Sequence, residues 1–170
     1  MINTAILLAG GKGTRIGPST LAISKHLIPI YDKPMIFYPL GVLISLGVTK
    51  IIIVVNPDDK EKYKKLLGNG DFLNIKILYV EQKSPNGLPE AFKICANKIK
   101  GKNVIMILGD QLLYTRKNYF KNLRNIITNF KDGAQIFSYH VKNINKFGAV
   151  KKVNGKFILK EKPKSKFSND

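Results

Sequence analysis

Four short runs of almost unbroken apolar residues punctuate the chain, at positions 5–8, 51–55, 75–80 and 104–108. A strand covered on one face alternates apolar and polar positions. Runs that are apolar throughout belong to strands buried on both faces, as in a parallel sheet with helices above and below. The stretches between them predict helices. Asp32-Lys33-Pro34 opens one, with an acceptor side chain near the N-cap and proline in the first turn, running over 35–46 to Gly47. It is apolar on most sides, which predicts deep packing. Asn56-Pro57-Asp58 opens a more polar helix with Tyr63, Leu66 and Leu67 as its inner stripe, ending at Gly68. Gly87-Leu88-Pro89 opens a third, over 90–98. In the fourth, Tyr119, Phe120, Leu123, Ile126, Ile127 and Phe130 recur at spacings of three and four, and it ends before Asp132-Gly133. The order of elements is that of an α/β protein, with a Rossmann-like, mostly parallel sheet covered by helices on both faces.

Beyond Gly133 the rhythm changes to strand-like runs at 135–141, 149–153 and 157–160. Asn154-Gly155 between the last two is a strong hairpin signal, so the tail predicts β-structure added to the sheet's edge. With 170 residues, 44% of them hydrophobic, the chain can fill one domain well and is too short for two of ordinary size.

Charge alters this picture little. Twenty-nine Lys and Arg against eleven Asp and Glu leave a net +18, which raises the expectation of a nucleic-acid partner. The lysines are scattered among Asn and Ile, however, as at Lys60, Lys62, Lys64, Lys65, Lys98, Lys100 and Lys102, and predict a solvated surface with no specific nucleic acid. Cys95 is the sole cysteine, so no internal disulfide forms, and His26 and His140 lack ligand-spaced partners and are read as structural. No apolar run approaches the roughly 18 to 20 residues of a membrane span, and the first residues lack the pattern of an export signal. The expectation is a cytoplasmic protein without a membrane partner.

The candidate chemistry lies where the apolar runs end. The first breaks into Gly10-Gly11-Lys12-Gly13-Thr14-Arg15. A Walker A loop needs Ser or Thr after its lysine, where Gly13 stands, and a dinucleotide fingerprint needs a glycine where Ile16 stands. What remains is either a cradle of small residues that brings backbone amides to a polyphosphate, with the Arg15 fork taking two oxygens, or a tight strand exit. Lys25, in an otherwise apolar stretch, predicts an anion or carboxylate partner, the alternative being a lysine that snorkels to water. Asp110 follows the fourth strand and is either a Mg²⁺ ligand at the sheet's carboxyl end or a turn residue. Gln82, after the third strand, offers a donor and an acceptor suited to a base edge, and Gly87 permits close approach. A loop without a ligand would look the same.

Taken together these residues resemble the sugar-1-phosphate nucleotidyltransferases, and within them the glucose-1-phosphate thymidylyltransferases, over nearly the whole chain. The resemblance rests on Leu8-Ala9-Gly10-Gly11-x-Gly13-Thr14-Arg15, Ser24-Lys25 with Leu27-x-Pro29-Ile30, and Asp32-Lys33-Pro34-Met35-Ile36. It continues through Tyr38-Pro39-Leu40, Leu66-Leu67-Gly68-x-Gly70, Gln82 with Pro85-x-Gly87-Leu88, Leu108-Gly109-Asp110, Phe147-Gly148 and Glu161-Lys162-Pro163. No one motif is specific, but their order and spacing are.

The resemblance implies that a sugar 1-phosphate attacks the α-phosphorus of a nucleoside triphosphate, with dTTP and glucose 1-phosphate as substrates and pyrophosphate released. It implies Gly10, Gly11, Gly13 and Thr14 at the triphosphate, Arg15 at the departing pyrophosphate and Lys25 bridging the phosphates. Gln82 and Gly87 would read a pyrimidine, Asp110 would hold Mg²⁺, and Gly148, Glu161 and Lys162 would hold the sugar phosphate. UTP or CTP in place of dTTP, or nucleotide binding without turnover, are the alternatives. Gln111 departs from the family, which commonly has Asn there. The chain also stops at Asp170 where the family continues, so the resemblance implies an incomplete domain. By the same resemblance the further part carries another strand, a second metal aspartate and much of the interface of a homo-oligomer.

Overall fold

The computed structural model describes residues 2–11, 13, 16–18, 20, 22–84, 87–113, 119–141 and 144–163. Its contacts gather into two units, Met1–Asn129 and Phe130–Asp170. In the first, β1 (Thr4–Ala9) leads to a two-residue ladder of β2 (Pro29–Ile30) and β3 (Lys33–Pro34), then α1 (Phe37–Ser45), β4 (Lys50–Val55) and α2 (Lys60–Leu67). β5 (Lys76–Glu81), α3 (Leu88–Ile99), β6 (Val104–Leu108) and α4 (Tyr119–Thr128) follow.

The four apolar runs are the four strands of a wholly parallel sheet, in the order β5-β4-β1-β6. Alternate side chains feed two separate cores, which is why the runs show no polar alternation. Ala5, Leu7, Ile51, Ile53 and Ile107 face α1, α2 and α4 through Leu40, Leu43, Tyr63, Leu67 and Leu123. Ile6, Ile52 and Val54 face α3 through Ala91 and Cys95. The register brings Ala9 level with Val55, Val55 with Glu81, and Leu8 with Leu108, so the carboxyl ends of all four strands finish in one line.

One helix begins later than the sequence predicts. Asp32 is not its N-cap. Residues 29–34 form a small antiparallel ladder turned at Tyr31, whose φ is 60°, and Asp32 pairs with Lys33 at 3.0 Å. The reason is backbone competition: the amides of Met35 and Ile36 donate to the carbonyls of Ile28 and His26, each at 3.0 Å, so the chain is tied down before α1 can start at Phe37. The helices starting near Pro57 and Gly87 form as predicted, the former through a 3₁₀ turn over Pro57–Asp59.

In the second unit, β7 (Gly148–Val153) and β8 (Lys156–Glu161) make the predicted hairpin, with Asn154 and Gly155 at φ 48° and 78°. That pair of positive values is what an Asn-Gly turn supplies. Among the described residues β7 and β8 form a two-stranded sheet of their own, so the predicted addition to the edge of the parallel sheet is not seen. Residues 135–141, predicted as a strand, are irregular: they have no ladder partner among the described residues, and Ile136, Phe137 and Tyr139 are exposed. Apolar rhythm alone does not make a strand without a neighbour to bond to. No helix among the described residues is long and apolar enough to cross a membrane.

Cys95 reports on the packing of α3, because its thiol is fully buried and burial pushes its pKa up. A thiol reagent is expected to modify it at least about a hundredfold more slowly in native buffer than in urea. Immediate native-state labelling would contradict the packing of α3 against Ile6 and Ile52.

Candidate functional site

Because the strand ends are level, the segments leaving them share one edge of the sheet: Gly10 and Gly11 after β1, Asn56 after β4, Gln82 after β5, and Gly109-Asp110 after β6. In open α/β sheets this is where ligands gather.

The segment 24–27 crosses this edge. The Lys25 ammonium forms a salt bridge with the Asp110 carboxylate, the partner its apolar surroundings predicted. Its stem passes over Gly11, where a Cβ would stand 3.7 Å from Lys25 Cε. Burial raises the pKa of Asp110, but the hydrogen bond and charge of Lys25 outweigh it and leave the carboxyl below its ordinary range.

His26 anchors the crossing. Its ring is buried, with Nδ1 3.3 Å from both the Ser24 and the Tyr63 hydroxyls. Those two hydroxyls lie 2.8 Å apart, and Tyr63 also reaches the Ala9 carbonyl at 3.3 Å. The far edge of the ring fills the space beside Gly109, where a Cβ would fall 2.7 Å from His26 Cδ2 and 2.8 Å from the Leu8 carbonyl oxygen. Burial, and then the neighbouring Lys25 charge, lower the His26 pKa to about 4, so the imidazole is neutral at pH 7. The structural reading of His26 holds, with a consequence: it ties Lys25 to the end of β6.

At the other end of the row, the Gln82 backbone amide donates to Val55 O at 2.9 Å. Its side-chain Nε2 donates to Glu90 Oε2 at 3.0 Å, in the first turn of α3. Its Oε1 leans toward Gly10, 3.3 Å from where a Cβ would stand. Gly87 is the N-cap of α3 with φ 88°. Gly13, also at positive φ, accepts from the Thr20 hydroxyl at 2.9 Å. The sequence reading missed Glu90, Tyr63 and Thr20. Tyr63 was visible only as an apolar stripe residue, and Glu90 and Thr20 meet partners eight and seven positions away, separations that leave no periodic trace. Gln111, the family departure, folds back and accepts from the Leu108 amide at 3.3 Å.

Thr14 and Arg15 lie outside the described residues. In the second unit the hairpin brings Gly148, Glu161 and Lys162 together. Gly148 and Glu161 are register partners, Glu161 and Lys162 pair at 3.6 Å, and the Lys162 amide donates to Phe147 O at 3.0 Å.

Comparison with known proteins bears on this geometry. The family described as nucleotidyl transferase matches residues 4–169. A glucose-1-phosphate thymidylyltransferase of Neisseria meningitidis is 43% identical over 145 residues, covering 85% of this chain and 50% of that protein. One of Mycobacterium tuberculosis is 40% identical over 168 residues, covering 96% of this chain and 57% of that protein. A Bacillus anthracis protein assigned as a glucose-1-phosphate thymidylyltransferase, solved with a sucrose, superposes with a TM-score of 0.87 at 28% identity, covering 97% of this chain and 66% of that one. The chain spans about half the length of the curated relatives it matches.

The neutral buried His26 sets a pH dependence. Its folded pKa of about 4 lies below the ordinary 6.5, so the unfolded chain binds the proton first as pH falls. The stabilisation is complete above about pH 6.5 and is lost as pH falls toward 4, by up to about 3 kcal/mol. Urea unfolding from neutral pH to about 4.5 is expected to show a shallower pH slope for His26→Gln than for the unsubstituted chain. Equal slopes would mean that His26 is not held neutral.

Proposed function

The chain belongs to the nucleotidyl transferase family, and on that premise we propose that it serves the transfer of a thymidylyl group from dTTP to glucose 1-phosphate. The products are dTDP-glucose and pyrophosphate. The observation that carries this reading is the Lys25–Asp110 pair, set on the same line of strand ends as Gly10 and Gln82. The names of the relatives from Neisseria meningitidis and Mycobacterium tuberculosis support the choice of nucleotide and sugar.

In this reading an oxygen of the sugar phosphate forms a bond to the α-phosphorus as the bond to the β-phosphate breaks. The electron pair of the breaking bond leaves with pyrophosphate. No covalent intermediate on the protein is involved, so alignment and charge stabilisation carry the catalysis. Gly10, Gly11, Gly13 and Thr14 present amides to the triphosphate, and Arg15 stabilises the charge on the leaving group. A triphosphate offers Lys25 more negative charge than a single carboxylate does, so Lys25 exchanges from Asp110 to the phosphates and frees the carboxylate. Gln82 and Gly87 meet the base. Gly148, Glu161 and Lys162 take the sugar phosphate, and the setting is cytoplasmic.

Asp110 fits a Mg²⁺ ligand by its chemistry: an ionised carboxylate at a strand end, with a side chain 37% exposed. Among the described residues no group of three or more His, Cys, Asp or Glu converges, which suits a cation whose shell is completed by substrate phosphates and water. When bound, Mg²⁺ neutralises phosphate charge as it builds up.

Incubation with dTTP, glucose 1-phosphate and Mg²⁺ is expected to release pyrophosphate, and Asp110→Asn to reduce that release by about a hundredfold or more. Undiminished release by Asp110→Asn overturns the metal assignment. If the chain neither binds dTTP nor releases pyrophosphate, the functional reading itself fails.

A further inference from the structure

We propose that Glu90 fixes the polarity of the Gln82 amide and so makes the site accept a pyrimidine with an N–H at ring position 3 and reject cytosine. This rests on the reading in which Gln82 meets the base.

Two anchors leave Gln82 little freedom. Its backbone is tied to Val55, and its Nε2 donates to Glu90 Oε2 at 3.0 Å, both side chains being half-buried. A Gln amide is symmetric in shape, so shape alone does not say which end is nitrogen. Chemistry does, because an ionised carboxylate accepts hydrogen bonds and cannot donate them. Glu90 also stands in the first turn of α3, where the helix dipole favours negative charge. The nitrogen must therefore face Glu90, and the carbonyl Oε1 is left toward Gly10 at the exit of β1.

The carbonyl presented there is a hydrogen-bond acceptor. Uracil and thymine carry a hydrogen on N3 that can donate to it. Cytosine in the same place presents the N3 lone pair, and acceptor then faces acceptor. Cytosine would be accommodated if the amide turned over, but that sets Oε1 against the Glu90 carboxylate, a second repulsive contact. Glu90 thus acts as a positioning residue that works through Gln82. It does not separate thymine from uracil, which share this edge.

The test is calorimetric titration of the chain with dUTP and dCTP, which share sugar and phosphates and differ only at the base. The expected result is that dUTP binds about tenfold or more tightly than dCTP. Glu90→Gln keeps the size of the side chain but can donate or accept, so Gln82 can turn. The preference is expected to fall to within about threefold, chiefly because dCTP binds better. Glu90→Ala, which removes the carboxylate altogether, should move the ratio the same way, and thermal melts verify that each variant is folded. If both variants keep the original ratio while Gln82→Ala loses it, Glu90 has no such role and Gln82 still reads the base. If Gln82→Ala keeps the ratio, the base-reading role itself fails, and this proposal with it. Equal affinity of the unsubstituted chain for the two nucleotides also overturns the proposal.

Discussion

Where β6 ends, Gly109 and the His26 ring share a space that a single added methyl group would close. The Gly109 amide donates to the Leu8 carbonyl at 2.8 Å, which holds the backbone of β6 against that of β1. With no Cβ in the way, His26 packs against this junction and carries the neighbouring Lys25 with it. Lys25 then meets Asp110, the residue after Gly109, across 85 positions of sequence. One buried, uncharged ring thereby decides where two partly exposed opposite charges meet. A surface ion pair on its own contributes little stability, so the geometry of this pair is set by the packing beneath it more than by its own attraction.

That division explains the electrostatics of the edge. His26 stays neutral because protonation would place a cation in a buried site next to Lys25. Asp110 stays ionised because Lys25 outweighs the cost of its partial burial. Several other lysines spend their charge on local surface carboxylates, as Lys60 does on Glu81, Lys62 on Asp59 and Lys64 on Glu61.

The sheet was legible in the sequence because burial on both faces leaves no polar position in a strand, and such a run has few other readings. Asp110 and Gln82 were legible for a related reason, as polar residues within two positions of the end of an apolar strand. The start of α1 was not, because Asp32 has every local mark of an N-cap and loses to hydrogen bonds made by Met35 and Ile36. The segment 135–141 had strand rhythm without a strand to pair with. Glu90 could not be found by pattern at all: its importance is a contact with Gln82, eight residues away around a loop.

The level strand ends have a metric consequence. Neighbouring strands stand about 4.8 Å apart, and Gln82 and Asp110 leave the two outermost strands of the order β5-β4-β1-β6. Three intervals separate them, about 14 Å. The sheet is a ruler, graduated by its own hydrogen bonds, with a glycine exit at an intermediate mark. A slip of one residue in register would not shorten that ruler; it would skew it, shifting one end by about 3.3 Å along the strand direction and turning its side chains to the opposite face. The spacing between the amide at one end and the carboxylate at the other is therefore a property of backbone pairing, insensitive to which side chains fill the two cores so long as they keep the strands in step.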